Sequence, residues 1–466
     1  MTSETLRLPV DATTNTTVNT LLAQLDDVSK QNKKRTDYYE HKRKLEQISE
    51  AVPGEYARIG LVLGWASKAI DFLARRCGLN EVAWPIGTEG EQQWKNLQKA
   101  NYFKAEIAKA VSEALLYGVA FLVATAASAE EQADGAPPVL MHAVSPLNAT
   151  GQWNPRLRRL DNLLVINDRD KQGKITDLTL HLPGRLINAT RAAYGRWEVT
   201  ETPHEYGMLA EALIYRPRSG KPLGTSRLTR AMMAHQDQGV REIIRLEGHM
   251  DIYSFPELWL LGADVSLFEN NPNWRNGAAR GKAIPDAEDA EPSLARVQVV
   301  RLEASNPDPH IKNLNAAAKL FAREAALPDS ALSVTDYANP TSAEAYDSSQ
   351  YELIHEAEGA TEGFEPAVIR IAAKMIQMAG IEGDTTQLTP VWRNPRHLAR
   401  SAEADAGVKQ ISAAPWLAET ELGLELLGLT PDQISRAKAE KQATQTKALT
   451  LALLEEKPAN NLPIVE

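Results

Sequence analysis

The sequence is poor in cysteine and has no long hydrophobic run. Its 466 residues include one cysteine, Cys77, so no disulfide can form within the chain and the fold relies on a hydrophobic core. The longest uncharged apolar stretch lies between Glu113 and Glu130 and is shorter than the about 20 residues that span a bilayer. The N-terminal MTSETLRLPVDATT shows no basic segment followed by an apolar one, so we expect no secretory signal. We therefore expect the chain to work in a reducing cytoplasm, or in a particle assembled there, with no membrane partner.

The sequence also lacks a positive net charge. It has 51 Lys and Arg against 61 Asp and Glu, a formal net charge of −10. Nucleic-acid-binding proteins usually carry a basic surface, so this balance argues against a conventional one. Hydrophobic residues make up 43% and charged residues 24%, which excludes a disordered chain, a collagen and a membrane channel. At about 150 residues per domain, the length predicts roughly three domains.

The first 130 residues are predicted to be mainly helical. Residues 1–16 are rich in Thr and Asn, which predicts a loose N-terminus. A charged pattern predicts a helix over residues 18–50, and apolar residues at steps of three and four predict a buried helix over 56–77. A further helix is expected over 90–115, followed by a buried strand with the sequence YGVAFLVATA.

Residues 139–216 are predicted to be rich in strands, because short apolar or β-branched runs alternate there with turn residues. One turn, residues 168–175, resembles the opening of a calcium-binding loop. Gln172 stands where that loop prefers Asp or Asn, and Thr179 stands where it needs Glu, so we expect a plain hairpin. The predicted strands have the sequences VLMHAV, NLLVIND, ITDLTLHLP, GRWEVTE and ALIYRP.

After Pro222 the pattern predicts two long helices around a β insertion. Ser226 is expected to cap a helix over 227–253. ELWLLGADV and VQVVRLE predict strands on either side of a loop at 269–292, and helical spacing resumes at Ile311. The remaining predicted segments are a break over 328–342, a helix over 342–379 and three short helices over 396–448, the last capped by Thr430.

A run of acids without any Lys or Arg begins in the predicted break. Like charges four residues apart destabilise a helix, so a one-signed run adds nothing to the stability of a solvated surface. One interpretation is an ordinary exposed acidic helix. The other is a surface that faces a polyanion that must not bind tightly. The eight acids are Asp336, Glu344, Asp347, Glu352, Glu356, Glu358, Glu362 and Glu365.

Catalytic and metal-binding motifs are missing or broken. The segment 277–282 is one residue too short for a phosphate-binding loop, and Ala283 replaces the Ser or Thr that binds magnesium. His355-Glu356 has no second His four residues on, and the sequence has no CxxC. There is no GxSxG, and no GxGxxG follows a strand. We therefore expect a chain that is not an enzyme, with no catalytic residue, cofactor or metal site.

Several segments between residues 56 and 410 follow one another in a distinctive order and spacing. The longest are RIGLVLGWASKAIDFLARRCGL at 58–79 and HAVSPLNATGQWNPRLRRL at 142–160. The others are the tract 104–123, PLGTSR at 222–227, NPTSA at 339–343, WRNPR at 392–396 and the SAEADA that begins at Ser401. In this order and spacing, the segments resemble the portal proteins of tailed double-stranded DNA bacteriophages of the siphovirus type.

This resemblance implies a mainly α chain with an α+β wing and a small β-containing clip, in the ring-forming portal fold of wing, stem, clip and crown. The parts would be a wing region (1–224), a first stem helix (225–254), a clip (255–310), a second stem helix (311–328), a tunnel loop (329–343), a long wing helix with the segment after it (344–395), and the crown with the C-terminal helices (396–466).

The resemblance also implies the function. A portal forms a ring at one capsid vertex, conducts double-stranded DNA during packaging and ejection, and docks the terminase motor and then the head–tail connector. The implied location is the virion, with the host cytoplasm during assembly. The implied partners are eleven further copies of the chain in a dodecamer, the terminase large subunit, a head–tail adaptor, the major capsid and scaffolding proteins, and double-stranded DNA as cargo.

Two groups of site residues follow from this architecture. The expected lining of the DNA channel is Asp336, Asn339, Thr341, Ser342, Glu344 and Asp347. The expected contacts of the clip with motor and adaptor are Trp274, Arg275, Arg280, Lys282, Asp286, Glu288 and Asp289.

Two other functions remain open from the residues themselves. Clustered carboxylates also suit a nucleic-acid-processing phage enzyme. A head-completion interaction protein is a further alternative, against which the length and the two interrupted long helices count.

Overall fold

The computed structural model describes residues 5–43, 45, 62–85, 87, 89–192, 195–253, 257–262, 281–284, 298–302, 305–328, 331–332, 348–396, 400–429 and 431–455. The chain divides into two compact units, Met1–Pro395 and Arg396–Glu466. The described part is mainly helical with several small sheets, which confirms the predicted fold class.

The first unit holds eight described helices and thirteen strands. The helices are α1 (Ala12–Tyr39), α2 (Trp65–Arg76), α3 (Glu89–Ala100), α4 (Phe103–Tyr117), α5 (Ala129–Ala133), α6 (Arg230–Tyr253), α7 (Asp308–Glu324) and α8 (Tyr351–Met378). The strands are β1 (Leu79–Ala83), β2 (Val119–Ala126), β3 (Val139–Val144), β4 (Ala149–Asn154), β5 (Arg159–Arg169), β6 (Ile175–Leu182), β7 (Arg185–Arg191), β8 (Trp197–Pro203), β9 (Ala210–Ile214), β10 (Glu257–Leu261), β11 (Gly281–Ile284), β12 (Gln298–Leu302) and β13 (Thr389–Trp392).

The centre of the first unit is the antiparallel sheet β3-β2-β9. Side chains of β2 alternate between two buried faces: Phe121 and Val123 pack towards the five-stranded sheet β4–β8, and Ala120 and Leu122 pack in the core that includes α4 and α8. A strand with both faces buried is expected to be apolar throughout. This explains why the prediction of a buried strand from YGVAFLVATA is correct.

The five-stranded sheet is an antiparallel meander in the order β4-β5-β6-β7-β8. It confirms the predicted β-rich region, and the turn at 168–175 is the hairpin between β5 and β6. There the Asp170 carboxylate accepts hydrogen bonds from the backbone amides of Gln172 (2.9 Å) and Lys174 (2.8 Å). Strands β4 and β7 were not predicted, because their polar residues give no clear alternation; they are defined by pairing with their neighbours.

Helix α1 covers the other face of this sheet and corrects the expected loose N-terminus. It begins at Ala12, where the Asp11 side chain accepts the amide of Thr14 at 2.8 Å. Leu6 and Leu8 are buried beside it, because the side chains of Asn15 and Asn19 bond to their backbone. The Asn residues that suggested a loose segment therefore hold it in place.

The helix expected over 90–115 is two helices, α3 and α4. Tyr102 breaks it with a left-handed φ of 48°. Beside it, the buried Asn101 side chain donates to the carbonyl of Val139 and accepts from the amide of Met141, at 2.8 and 2.7 Å. The Asn101 side chain thus completes hydrogen bonds of the β3 backbone. The apolar spacing of a helix carries no sign of such a long-range bond.

Helices α6 and α7 pack along each other, and the sheet β11-β10-β12 lies between them in sequence. The expected cap of α6 is wrong. The helix begins at Arg230, and Ser226 instead donates to the carbonyl of Leu116 (2.6 Å) and accepts from the amide of Leu228 (3.0 Å). Strand β11 lies within the predicted loop at 269–292 and pairs in parallel with β10.

The second unit is helical, as predicted. Its elements are α9 (Arg400–Ala413), a 3₁₀ turn (Pro415–Glu419), α10 (Glu421–Leu426) and α11 (Pro431–Glu455). The Thr420 hydroxyl caps α10 by accepting the amide of Gly423 at 3.1 Å. The expected cap Thr430 lies outside the described residues. None of the helices in the described part combines the length and apolar character of a membrane span.

Candidate functional site

The predicted site residues lie almost entirely outside the described residues. All six expected channel residues do so: Asp336, Asn339, Thr341, Ser342, Glu344 and Asp347. Of the seven expected clip contacts, Lys282 lies in β11, and Trp274, Arg275, Arg280, Asp286, Glu288 and Asp289 lie outside. These assignments stay predictions. The structure does show what holds the two ends of the expected tunnel loop.

The chain leaves α7 through a fixed turn. The amide of Leu327 donates to the carbonyl of Ala322 (2.9 Å), and the amide of Ala326 donates to that of Arg323 (3.3 Å). This is a Schellman arrangement, in which the residue after the helix is left-handed and is usually Gly. Here it is Ala326, with φ 48°. The turn sets the direction of the chain as it enters the expected loop.

One buried arginine connects the segments on both sides of that loop. Arg227 precedes α6, and its side chain is 2% exposed. Its Nε donates to the carbonyl of Ala69 in α2 at 2.9 Å. Its two Nη atoms bind the carbonyl of Ala325 at the end of α7 and the carboxylate of Glu356 in α8. A single guanidinium thus joins α2, α7 and α8.

Helix α2 adds two more cationic contacts, one within the range expected for the loop and one after it. Lys68 donates to the carbonyl of Ala331, near the start of that range. Arg76 donates to the side chain of Gln350 after it, and to the carbonyl of Pro395. We call Lys68, Arg76 and Arg227 the anchoring cations. Several of the acceptors are main-chain carbonyls, so these bonds hold the backbone at Ala325, Ala331 and Pro395 directly.

Glu356 gathers three donors. Besides Arg227, it accepts hydrogen bonds from the Tyr215 hydroxyl and from Arg216, and its side chain is 10% exposed. Burial, with the neighbouring carboxylate, raises the pKa of Tyr215, so this phenol stays protonated and donates. Cys77 lies close by, and burial raises the pKa of its thiol to about 12. It therefore packs as a protonated thiol.

The other described acids of the run lie on the outer side of α8. Glu352, Glu358 and Glu362 are exposed and Glu365 is half-buried. We call these four glutamates together the acidic face, although Arg370 lies beside Glu362 and Glu365. Glu356 departs from the predicted run because it points to the core and is neutralised there.

The pair of Arg227 and Glu356 was not predicted from the sequence. Arg227 looked like a charge on a helix surface, and its partner is 129 residues away. One signal was available. Glu356 is three residues after Leu353 and four before Ala360, which places it beside the apolar stripe of the helix. A carboxylate at such a position needs a buried cation.

Helix α6 is held to α2 and the residues before it by close contacts. Gln236 accepts the amide of Ala66 and donates to the carbonyl of Leu63, both at 2.9 Å. A Cβ at Gly239 would lie 2.6 Å from the side chains of Leu63 and Trp65. Only a glycine lets the helix approach this closely.

Together, the three anchoring cations bind main-chain carbonyls and the Glu356 carboxylate, and so hold the chain near the expected tunnel loop. Among the described residues, no three His, Cys, Asp or Glu side chains are grouped to hold a metal ion.

Comparison with known proteins gives a consistent result. The profile of the family "Phage portal protein, SPP1 Gp6-like" matches residues 19–447. The portal protein of Mycobacterium phage L5 is 25% identical over 414 residues, which cover 84% of this chain and 80% of that protein. The portal protein of Mycobacterium phage D29 is 23% identical over 403 residues, with the same two coverages, 84% and 80%.

Solved structures also resemble the chain. One is the neck of a native gene transfer agent particle computed with C12 symmetry, with a TM-score of 0.40, 16% identity, and coverage of 79% of this chain and 90% of that chain. Another is the virion of a native gene transfer agent particle, with a TM-score of 0.42, 14% identity, and coverage of 83% and 96%.

Proposed function

The chain belongs to the phage portal protein family, as its motifs predicted, and from this premise we propose that its copies close into a ring at one capsid vertex and conduct double-stranded DNA. The observation that carries this proposal is the anchoring of the expected tunnel loop. A loop that narrows a channel must keep its position while a stiff polymer passes. Arg227 and Arg76 hold the chain on either side of that loop, and Lys68 holds Ala331 within its range.

Charge supports the same role. DNA carries one negative charge per about 1.7 Å of helix axis, and each Lys or Arg contact with a phosphate strengthens binding. A conduit must let many phosphates pass without holding them. The acidic face and the acids Asp336, Glu344 and Asp347 would shorten each contact. The net charge of −10 then excludes tight DNA binding and leaves DNA as cargo.

We assign the parts of the ring as follows. Helices α6 and α7, which pack along each other, form the stem (225–254 and 311–328). The small sheet between them lies in the clip (255–310), which meets the terminase motor and later the head–tail adaptor. Residues 1–224 and 344–395 form the wing, 329–343 the tunnel loop and 396–466 the crown. The division of the chain at Pro395 supports this last boundary.

As a phage portal protein, the chain is a component of the virion. We propose that it acts as a structural part with no enzymatic step of its own. Its proposed partners are eleven further copies of itself in a dodecamer, the terminase large subunit, a head–tail adaptor, and the major capsid and scaffolding proteins. It would meet these partners in the host cytoplasm during assembly.

Electron microscopy of the purified full chain, combined with a packaging assay, tests the proposal. We expect rings with a central hole. Glu344→Lys with Asp347→Lys should leave the rings intact and reduce DNA packaging, because the reversed charges hold the phosphates. Asp26→Lys with Asp27→Lys, the same charge change on the exposed part of α1, should package normally.

Two results contradict the proposal. A monodisperse monomer at every concentration and salt would exclude the ring. Normal packaging by the Glu344 and Asp347 variant would remove the electrostatic argument. For the clip, charge reversal at Arg280 and Lys282 should weaken terminase binding to intact rings, and unchanged binding would contradict that assignment.

A further inference from the structure

The hairpin between β4 and β5 is a compact basic feature on an acidic chain. Its tip exposes three arginines, Arg156, Arg158 and Arg159, and between them Leu157, which is 52% exposed. No acid occurs from Asn154 to Arg159. We call residues 154–159 the arginine hairpin. The portal-like segment 142–160 ends in it, and the proposed function so far gives it no role.

The backbone of the arginine hairpin is fixed. The side chain of Asn154 accepts the amides of Arg156 (3.1 Å) and Leu157 (3.0 Å), and its amide donates to the Asp161 carboxylate (3.1 Å). Arg158 is left-handed, with φ 50°. The guanidinium groups therefore extend from a rigid base, which lowers the ordering cost when they bind a partner.

These arginines lack an acidic partner within the described residues. No carboxylate of that part lies within the 4.0 Å of an ion pair from any of the three, and Asp161 is bound by Asn154. The buried Glu211, which is influenced by the charge of Arg159, already pairs with Arg370 at 2.8 Å. Three charges are thus available to an external anion.

We propose that the arginine hairpin binds the phosphate backbone of double-stranded DNA. The inference rests on the proposed function, which brings a duplex to the ring. The geometry of both partners favours it. A two-stranded β-ribbon fits the major groove of B-DNA, which is about 12 Å wide. Each guanidinium group can donate two hydrogen bonds to two oxygens of one phosphate. The closely spaced charges of DNA can meet all three arginines without a shaped pocket.

The interaction is expected to be weak and independent of sequence. Three phosphate contacts per copy make the binding constant fall only as about the third power of the salt concentration. The acidic face elsewhere on the chain keeps the remaining surface from adding to it. A ring repeats the hairpin in every copy, so the duplex would meet a circle of identical weak contacts, which exchange as it moves.

DNA binding to intact full-chain rings tests this proposal. Fluorescence anisotropy of a labelled 30-base-pair duplex is measured between about 50 and 300 mM KCl. In the R156A/R158A/R159A variant, the slope of log K against log[KCl] should be smaller by up to about 2.7, since each phosphate contact contributes about 0.9. Affinity in 100 mM KCl should fall on the order of ten- to a hundred-fold. R156K/R158K/R159K should keep the slope.

A matched variant controls for net charge. K30A/K33A/K34A removes three exposed cations from α1 and should leave the slope nearly unchanged. Equal losses in the two variants would show diffuse attraction and overturn the proposal, as would no loss in either. Two other results would also overturn the proposal, because they would show that the hairpin binds an acidic protein surface instead of DNA. One is displacement of the duplex by poly-L-glutamate at the same concentration of negative charge. The other is loss of ring formation in the arginine variant alone.

The experiment also separates the two proposals. Failure of the wild-type chain to form rings or package DNA counts against the proposed function. Normal rings and packaging, with a slope that the arginine variant leaves unchanged, count against the arginine hairpin alone.

Discussion

The two sides of helix α8 carry the same residue type in opposite situations. Glu356 points inward, is 10% exposed and binds Arg227, Arg216 and Tyr215. Glu358 and Glu362, two and six residues later, are exposed, and neither has a Lys or Arg within ion-pair distance among the described residues. Glu356 therefore contributes to the packing of the core, whereas Glu358 and Glu362 contribute negative charge to the surface.

The difference shows that a run of like charges in a sequence is not one surface. A helix turns 100° per residue, so neighbouring acids reach different environments. In the buried environment a carboxylate must be paired, and its removal leaves an isolated cation. In water it is screened and contributes little to folding. Substitutions at buried and at exposed positions should therefore change the free energy of unfolding by different amounts and even in opposite directions.

The largest effect is expected at Glu356. Glu356→Ala should lower the free energy of unfolding by about 3–5 kcal/mol, because Arg227 is left buried without its carboxylate. Glu358→Ala, in the same helix, should change it by less than about 0.5 kcal/mol. Urea unfolding of the two variants and the wild type measures both.

A double substitution sharpens this result. Replacing both partners, R227M/E356L, should recover much of the loss, because a buried pair can often be exchanged for apolar groups of similar volume. Similar losses at Glu356 and Glu358 would contradict the contrast between the two sides of α8.

The next effect concerns histidines and depends on pH. His181 in β6 is buried, and burial, with smaller effects from His142 and His204, lowers its pKa to about 4. The unfolded chain binds this proton below about pH 6.5, whereas the folded chain does not bind it until about pH 4. Stability should therefore fall as the pH drops from about 6.5 to 4, by about 3 kcal/mol from this residue.

His181→Leu removes this contribution. The difference in unfolding free energy between the wild type and the variant, followed by urea titration from pH 7.5 to 4, should shift by about 3 kcal/mol in favour of the variant. His355→Leu on the outer side of α8, where the side chain is 78% exposed, is the matched control and should show little shift. Parallel curves for His181→Leu and the wild type would refute the assignment.

The smallest effect is a pair of glycine substitutions with opposite signs. Gly239→Ala in α6 forces a Cβ against Leu63 and Trp65; overpacking of about 1–3 kcal/mol exceeds the gain of about 1 kcal/mol in helix propensity. Gly359→Ala on the outer side of α8 meets no atom within 4 Å and should raise stability by up to about 1 kcal/mol. Thermal unfolding of both variants measures this, and equal signs would contradict the distinction.

Much of the fold was predictable because apolar periodicity reports burial. Periodicity located α2 and α7, and an unbroken apolar run located β2. Periodicity failed where one polar side chain decides the local structure. Asn101 and Tyr102 split a predicted helix, and Ser226 serves the carbonyl of Leu116 in place of a helix start. Such bonds depend on a partner that is distant in sequence.

For the function, the motif order was sufficient to predict the family. The acidic run was predicted as a whole, but which of its members face solvent was not. The anchoring cations were not predicted. Lys68 and Arg76 look like ordinary surface charges of an amphipathic helix, and their acceptors, Ala331 and Gln350, lie more than 250 residues away.

The sequence by itself determined the class of the chain, its family, its helices and strands in outline, and its negative charge. Only the tertiary structure decided which charges are neutralised inside, as for Glu356, and which are exposed without an ion-pair partner in the described part of the chain, as for Arg156. The reason is physical: a charge is set by the residue type, but its energy depends on solvent exposure and on partners that folding brings near. The same chain, with its negative net charge, therefore exposes several glutamates on α8 and three arginines on one hairpin.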